Sequence, residues 1–80
     1  MLNDPIQAMA ESKKLIESAE ACQGIINNMN QIIEDIPSFW EGVSANIFIR
    51  NNHSVVEHLD RARKEMLQIS DEIKVLAEAI

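Results

Sequence analysis

The side chains that could do chemistry are few, and their spacing argues against each reaction in turn. His53 and His58 are five residues apart, so they do not share a helix face as the i,i+4 histidines of a zinc-binding helix do. His53 and Glu57 are four apart and could clamp a metal between them, but two ligands are too few for a closed structural site. No Glu-x-x-His pair occurs, so the signature of a di-iron bundle is missing. Cys22, the single cysteine, falls inside an apolar helical pattern with no basic residue beside it in sequence to activate the thiol, and it has no second cysteine for an internal disulfide. There is no phosphate loop or nucleophile elbow. The residues therefore point away from an enzyme, a bound metal or an organic cofactor, and toward recognition.

The candidate recognition element is Ser38-Phe39-Trp40-Glu41-Gly42, followed by Ala45 and Phe48. It holds the only tryptophan and one of two glycines, at the midpoint between two long helical patterns. Ile36-Pro37 is expected to stop the first helix, because a residue before proline is pushed out of the helical region. Ser38 and Glu41 have the S-x-x-E spacing of a capping box. That reading puts Trp40 and Gly42 in the first turn of the second helix, with the glycine allowing another backbone close approach.

Two helices must position this stretch. Asp4 as N-cap, Pro5 at the first helical position and Gln7 completing a capping box open the first one. Ala8, Ser12, Leu15, Ala19, Cys22, Ile26, Met29, Ile33 and Ile36 then alternate in steps of four and three, a seam for a partner helix. In the second helix Ala45, Phe48, Asn52, Val55, Leu59, Ala62, Met66, Ile69, Ile73, Leu76 and Ile80 make the corresponding seam. Asn52 is its one polar member and is expected to fix register. Glu57/Arg61, Asp60/Lys64 and Arg61/Glu65 have the i,i+4 spacing of solvated supporting ion pairs. Gly24 falls on the outer face of the first helix, where a glycine is tolerated at some cost.

The expected fold is all-α, a single antiparallel hairpin with a first helix at about 5–35, a turn at 36–42 and a second helix at about 39–79. Eighty residues allow one domain, and a net charge of −6 argues against a broad nucleic-acid or anionic-membrane footprint. The N-terminus, Met1-Leu2-Asn3-Asp4-Pro5, lacks the regions of a signal peptide, and no apolar run reaches membrane-spanning length. The expected chain is soluble, made in the cytoplasm and not inserted in a membrane.

A lone two-helix hairpin of this size is marginal, and apolar residues lie outside both seams. Ile16, Ile25 and Ile32 flank the first, and Ile49 and Val56 flank the second. Val43 and Ile47 line up with Trp40 near the tip, and Leu67 and Val75 lie off the second seam. A stripe this wide packs against more than one helix. The expectation is a four-helix bundle built from two hairpins, as a homodimer or with a longer helical partner.

Trp40-Glu41-Gly42 with Ala45 and Phe48, at the turn of a short acidic hairpin, resembles the WXG (Trp-x-Gly) family of type VII, or ESX-type, secretion proteins. The likeness in architecture covers nearly the whole chain; in motif it rests on about a dozen residues around the turn. It implies a helical hairpin that pairs as a homo- or heterodimer and leaves the bacterium through an ATPase-driven apparatus without a cleaved signal peptide. It assigns Trp40, Gly42, Ala45 and Phe48 to an export and partner motif. The family's C-terminal Tyr-x-x-x-Asp/Glu element has no counterpart, because the sequence contains no tyrosine. Either that element lies in a tail beyond Ile80 or a partner supplies it; the latter suits the small WXG-like proteins that accompany LXG-domain toxins in Gram-positive bacteria. Apart from the resemblance, the residues fit equally a structural hairpin, an adaptor or assembly subunit, in which Trp40 only closes the core.

Overall fold

The computed structural model describes residues 4–79. Met1–Asn3 and Ile80, the latter expected to close the second seam, lie outside the described residues. Two long helices make an antiparallel hairpin about 58 Å long and 15 by 11 Å across, α1 over Pro5–Asp35 and α2 over Val43–Glu78, and no strand occurs among the described residues. At ~1.5 Å per residue the helices extend about 46 and 54 Å, so they run side by side over almost the whole molecule.

Helix α1 starts where its chemistry allows. The Asp4 side chain accepts the Gln7 amide at 3.0 Å and Pro5, with no amide to satisfy, takes the first position. The Gln7 side chain donates to Glu11 at 2.8 Å, so the reciprocal half of the capping box is not made. At the other end Ile36 keeps helical angles, φ −52 and ψ −47, rather than being expelled ahead of Pro37. The chain tightens after it into a 3-10 turn over Ile36–Ser38. The Ile36 carbonyl accepts the amides of both Phe39, at 3.1 Å, and Trp40, at 2.9 Å.

The second helix begins at Val43, four residues later than the Ser38/Glu41 pattern suggested. The Ser38 hydroxyl donates backward to the Asp35 carbonyl at 2.6 Å, and no side chain caps α2. Gly42 is the N-cap, with φ 113 and ψ −171, and its carbonyl takes the first helical bond, from Asn46, at 3.0 Å. That conformation is essentially confined to glycine. A Cβ placed on Gly42 would meet nothing within 4 Å. The glycine is therefore required by backbone angle, not by the close approach of another chain.

The α1 seam is where the sequence pattern puts it: Ala8, Ser12, Ala19, Cys22, Ile26, Ile33 and Ile36 are buried, and Leu15 and Met29 half-buried. Helix α2 is rotated from its expected orientation. Its inward residues are Ala45, Ile49, Asn52, Val56, Leu59, Arg63, Met66, Ser70, Ile73 and Ala77, all buried or half-buried. Phe48, Val55, Ile69 and Leu76 are exposed instead. One of the two expected columns holds, and the other shifts by one residue throughout.

Ser12 explains the shift. Its hydroxyl is fully buried and lies 2.7 Å from the Ser70 hydroxyl, also buried. The Ser12 hydroxyl also lies 3.1 Å from the Ser70 carbonyl and the Ser70 hydroxyl 3.2 Å from the Ser12 carbonyl, so two protons serve three contacts. With Ile69 turned inward in place of Ser70, the Ser12 hydroxyl would be stranded, at a cost of about 1–3 kcal/mol. The clasp and the 3.7 Å contact of Cys22 Sγ with the Leu59 carbonyl set the register. Carried along both helices, it puts Val56 opposite Ile26, Ile49 opposite Ile33 and Ala45 opposite Ile36. Asn52 does not fix register: its amide donates at 2.8 Å to the Phe48 carbonyl of its own helix.

Gly24 lies exposed in the middle of α1 with nothing within 4 Å of an added Cβ. Gly24→Ala should therefore raise stability by about 0.4–1 kcal/mol, through helix propensity and a less disordered unfolded chain. Urea denaturation followed by circular dichroism checks it, and a loss of stability would reveal a contact at that face.

Candidate functional site

The four motif residues occupy three different environments at the closed end. Ala45 is 1% exposed and Ile36 2%, and together they close the core. Gly42 supplies the backbone turn. Trp40 and Phe48 lie outside that core, 38% and 40% exposed, with ring centroids 5.5 Å apart and planes tilted by 48°. A tilted pair at that distance contributes about 0.5–1.5 kcal/mol beyond its buried area. Trp40 is thus held against Phe48 with part of its ring in solvent, and with Phe39, 74% exposed, it presents an aromatic surface.

The seven residues expected to form a partner interface do not form one surface. Ile49 and Val56 belong to the seam inside the hairpin. Val43 and Ile47 are exposed near the tip, 76% and 48%, on the outer side of α2. Ile16 borders a groove with Gln23, Arg63 and Leu67 on one broad face of the hairpin. Ile25 and Ile32, about half exposed, flank the α1 seam on its other side and so lie on the opposite broad face. Flanking columns of like heptad position fall on the same side of an antiparallel pair. Phe48, Val55, Ala62, Ile69 and Leu76 of α2 consequently share the face of Ile25 and Ile32.

The two broad faces differ in chemistry. On the Ile16 face Asp60 binds Arg63 at 2.9 Å and Lys64 at 3.0 Å. Hydrogen bonds from Lys64 and then Arg63 hold its carboxyl below the usual carboxylate range. The stabilisation is present above the ordinary carboxylate pKa and fades as pH falls through the lowered value. Among the described residues neither Glu57/Arg61 nor Arg61/Glu65 forms an ion pair; Lys14–Glu11 does, at 3.1 Å. The Ile25 face carries no charge at any position of its α2 column.

Sequence reasoning missed Val55, Ile69 and Leu76 as surface residues by assigning them to the core. The signal that would have found them is Ser12: a seam hydroxyl needs a polar partner at matching depth, and Ser70 is the small hydroxyl residue there.

Among the described residues the surface depressions are open ones. One is a trough on the outside of α2 lined by Gln68, Asp71, Glu72, Val75 and Leu76, at the opposite end from the motif. Among the described residues no three His, Cys, Asp or Glu side chains gather as metal ligands, and no helix is long and apolar enough to cross a membrane. Comparison with family models, with curated proteins and with solved structures finds no match.

Proposed function

We propose that this hairpin is a WXG-like small helical protein of a bacterial type VII (ESX-type) secretion system. It is exported itself or serves as the partner and targeting factor of a larger LXG-type effector, and it carries out no catalysis. It pairs with a second hairpin as a four-helix bundle, is made in the cytoplasm and leaves without a cleaved signal. Trp40, Gly42 and the surrounding tip are one half of a composite export signal engaged by the secretion ATPase.

The observation that carries this reading is the exposed Trp40–Phe48 pair. Ile36 and Ala45 are the buried residues at this end, while Trp40 and Phe48 keep 38% and 40% of their surface in solvent. The alternative, a structural adaptor with no export role, leaves that exposure unexplained. Trp40→Ala tests the two. The variant loses the ring pair, worth about 0.5–1.5 kcal/mol, together with the covered area of the indole; it should keep its helicity by circular dichroism at low temperature and fall at least tenfold in the culture medium relative to the cell pellet. Unchanged export, or collapse of the fold, would favour the adaptor.

A further inference from the structure

Helix α2 carries a stripe that α1 does not use. Phe48, Val55, Ala62, Ile69 and Leu76 recur every seven residues, and the four large ones are 40–57% exposed. The stripe is symmetric in size about Ala62: Val55 and Ile69 stand seven residues to either side, Phe48 and Leu76 fourteen. A half-turn about an axis through Ala62, perpendicular to the helix, brings a second α2 antiparallel onto the first. Ala62 then meets Ala62, Val55 meets Ile69 and Phe48 meets Leu76, over about 42 Å of helix. Such self-complementarity is what an isologous two-fold contact requires. The small residue at the centre admits close approach, and the larger ones fill the diverging ends.

The charges beside the stripe select the same arrangement. The next column outward is Asn51, His58, Glu65 and Glu72, and neither glutamate has an ion-pair partner among the described residues. The antiparallel half-turn sets His58 beside Glu65 and Asn51 beside Glu72, each twice. A parallel pairing of the same stripes would put this column on opposite sides of the contact in the two copies, so neither pair would form.

We infer that a second copy of this chain occupies the face, with α2 packed antiparallel on α2 and the two-fold axis at Ala62. The inference rests on the proposed function only in taking the hairpin to pair with another hairpin. Ile25 and Ile32, on the same face toward the tip, widen each end of the contact where Ile69 and Leu76 of the second copy arrive.

Light scattering on the purified chain across a concentration series should give the mass of a dimer. Ala62→Glu puts two carboxylates together at the axis and should weaken association roughly a hundredfold or more, with helicity preserved because Ala62 is only half-buried. Independently of that variant's folding, Ala62→Cys should cross-link quantitatively under mild oxidation while Arg61→Cys, turned about 100° away around the helix, should not. Cys22 is buried and leaves both readings clean. A helical monomer at every concentration overturns the inference, as does a dimer indifferent to Ala62→Glu or one that cross-links through Arg61→Cys instead. A monomer would leave the export reading standing with a different partner on this face. Lost export with an intact dimer in Trp40→Ala bears on that reading alone.

Discussion

Ile36→Ala is expected to abolish the folded hairpin at physiological temperature. Ile36 is the largest fully buried side chain, packed where the two helices converge on the turn, and its carbonyl accepts both amides that shape that turn. Truncating a buried isoleucine costs about 2–5 kcal/mol, more where surroundings cannot relax into the space. Here the 3-10 turn and the buried Ala45 hold the walls apart. A core of this size supplies at most about 3–5 kcal/mol in total, so the loss is comparable to the whole stability. Ile32→Ala, one helical turn earlier and 52% exposed, should shift the hairpin's own stability by about 1 kcal/mol or less. Thermal melts of both variants at one protein concentration make the comparison. Equal melting temperatures would mean that the closed end is held by something other than Ile36.

The second large effect belongs to Gly42. With φ at 113 and ψ at −171, an L-residue there is strained by about 1–3 kcal/mol, so Gly42→Ala should lower the urea midpoint without changing the slope. The space around the position is empty, which gives the prediction a sharp control. A D-alanine placed at 42 by chemical synthesis has a methyl group of the same size and the opposite backbone preference, and it should retain the stability of the parent. If both enantiomers destabilise equally, room rather than backbone angle is the constraint. Tryptophan fluorescence adds a local readout, since a shifted helix start would move Trp40 off Phe48.

The first helix was legible because a four-three seam runs along it from Ala8 to Ile36, with Ile16, Ile25 and Ile32 to its sides, and the structure buries or half-buries that seam. The second was half legible. Its apolar residues fill three columns per heptad, and the column with the most regular hydrophobicity, Phe48 through Leu76, is the one left outside. The inward column contains Arg63 and Ser70, which look wrong for a core until their counterparts are considered. Ser12 faces Ser70, and Ala19 leaves room for the Arg63 stem beside it. Pairwise complementarity decided the rotation, and a helix read alone does not contain it. The tip misled for a local reason. Ser38 was a good N-cap by type, but the chain is still in a 3-10 turn at that point, and its hydroxyl finds the Asp35 carbonyl first. Of the motif, Ala45 as core follows from its place in the seam; Gly42 reads in sequence as a point of close approach, and its positive φ shows only in the structure. That Trp40 lies outside the core did not follow from the sequence, because tryptophan between two apolar seams reads equally as a plug.

Pro37 and Gly42, only five residues apart, also restrict what else the chain can become. Long antiparallel hairpins have a competing form in which the turn straightens into one rod and two chains exchange halves, remaking the same side-chain contacts between molecules. Every seam contact described above, the Ser12–Ser70 clasp included, would survive that exchange, so the seam itself offers no protection. The connector does. A continuous rod would place proline inside a helix, at a cost of about 3 kcal/mol, and glycine a turn later, at about 1 kcal/mol more. Two chains would incur both costs twice. The residues that bend the chain thus keep each hairpin folded on itself while its outer faces stay free to associate.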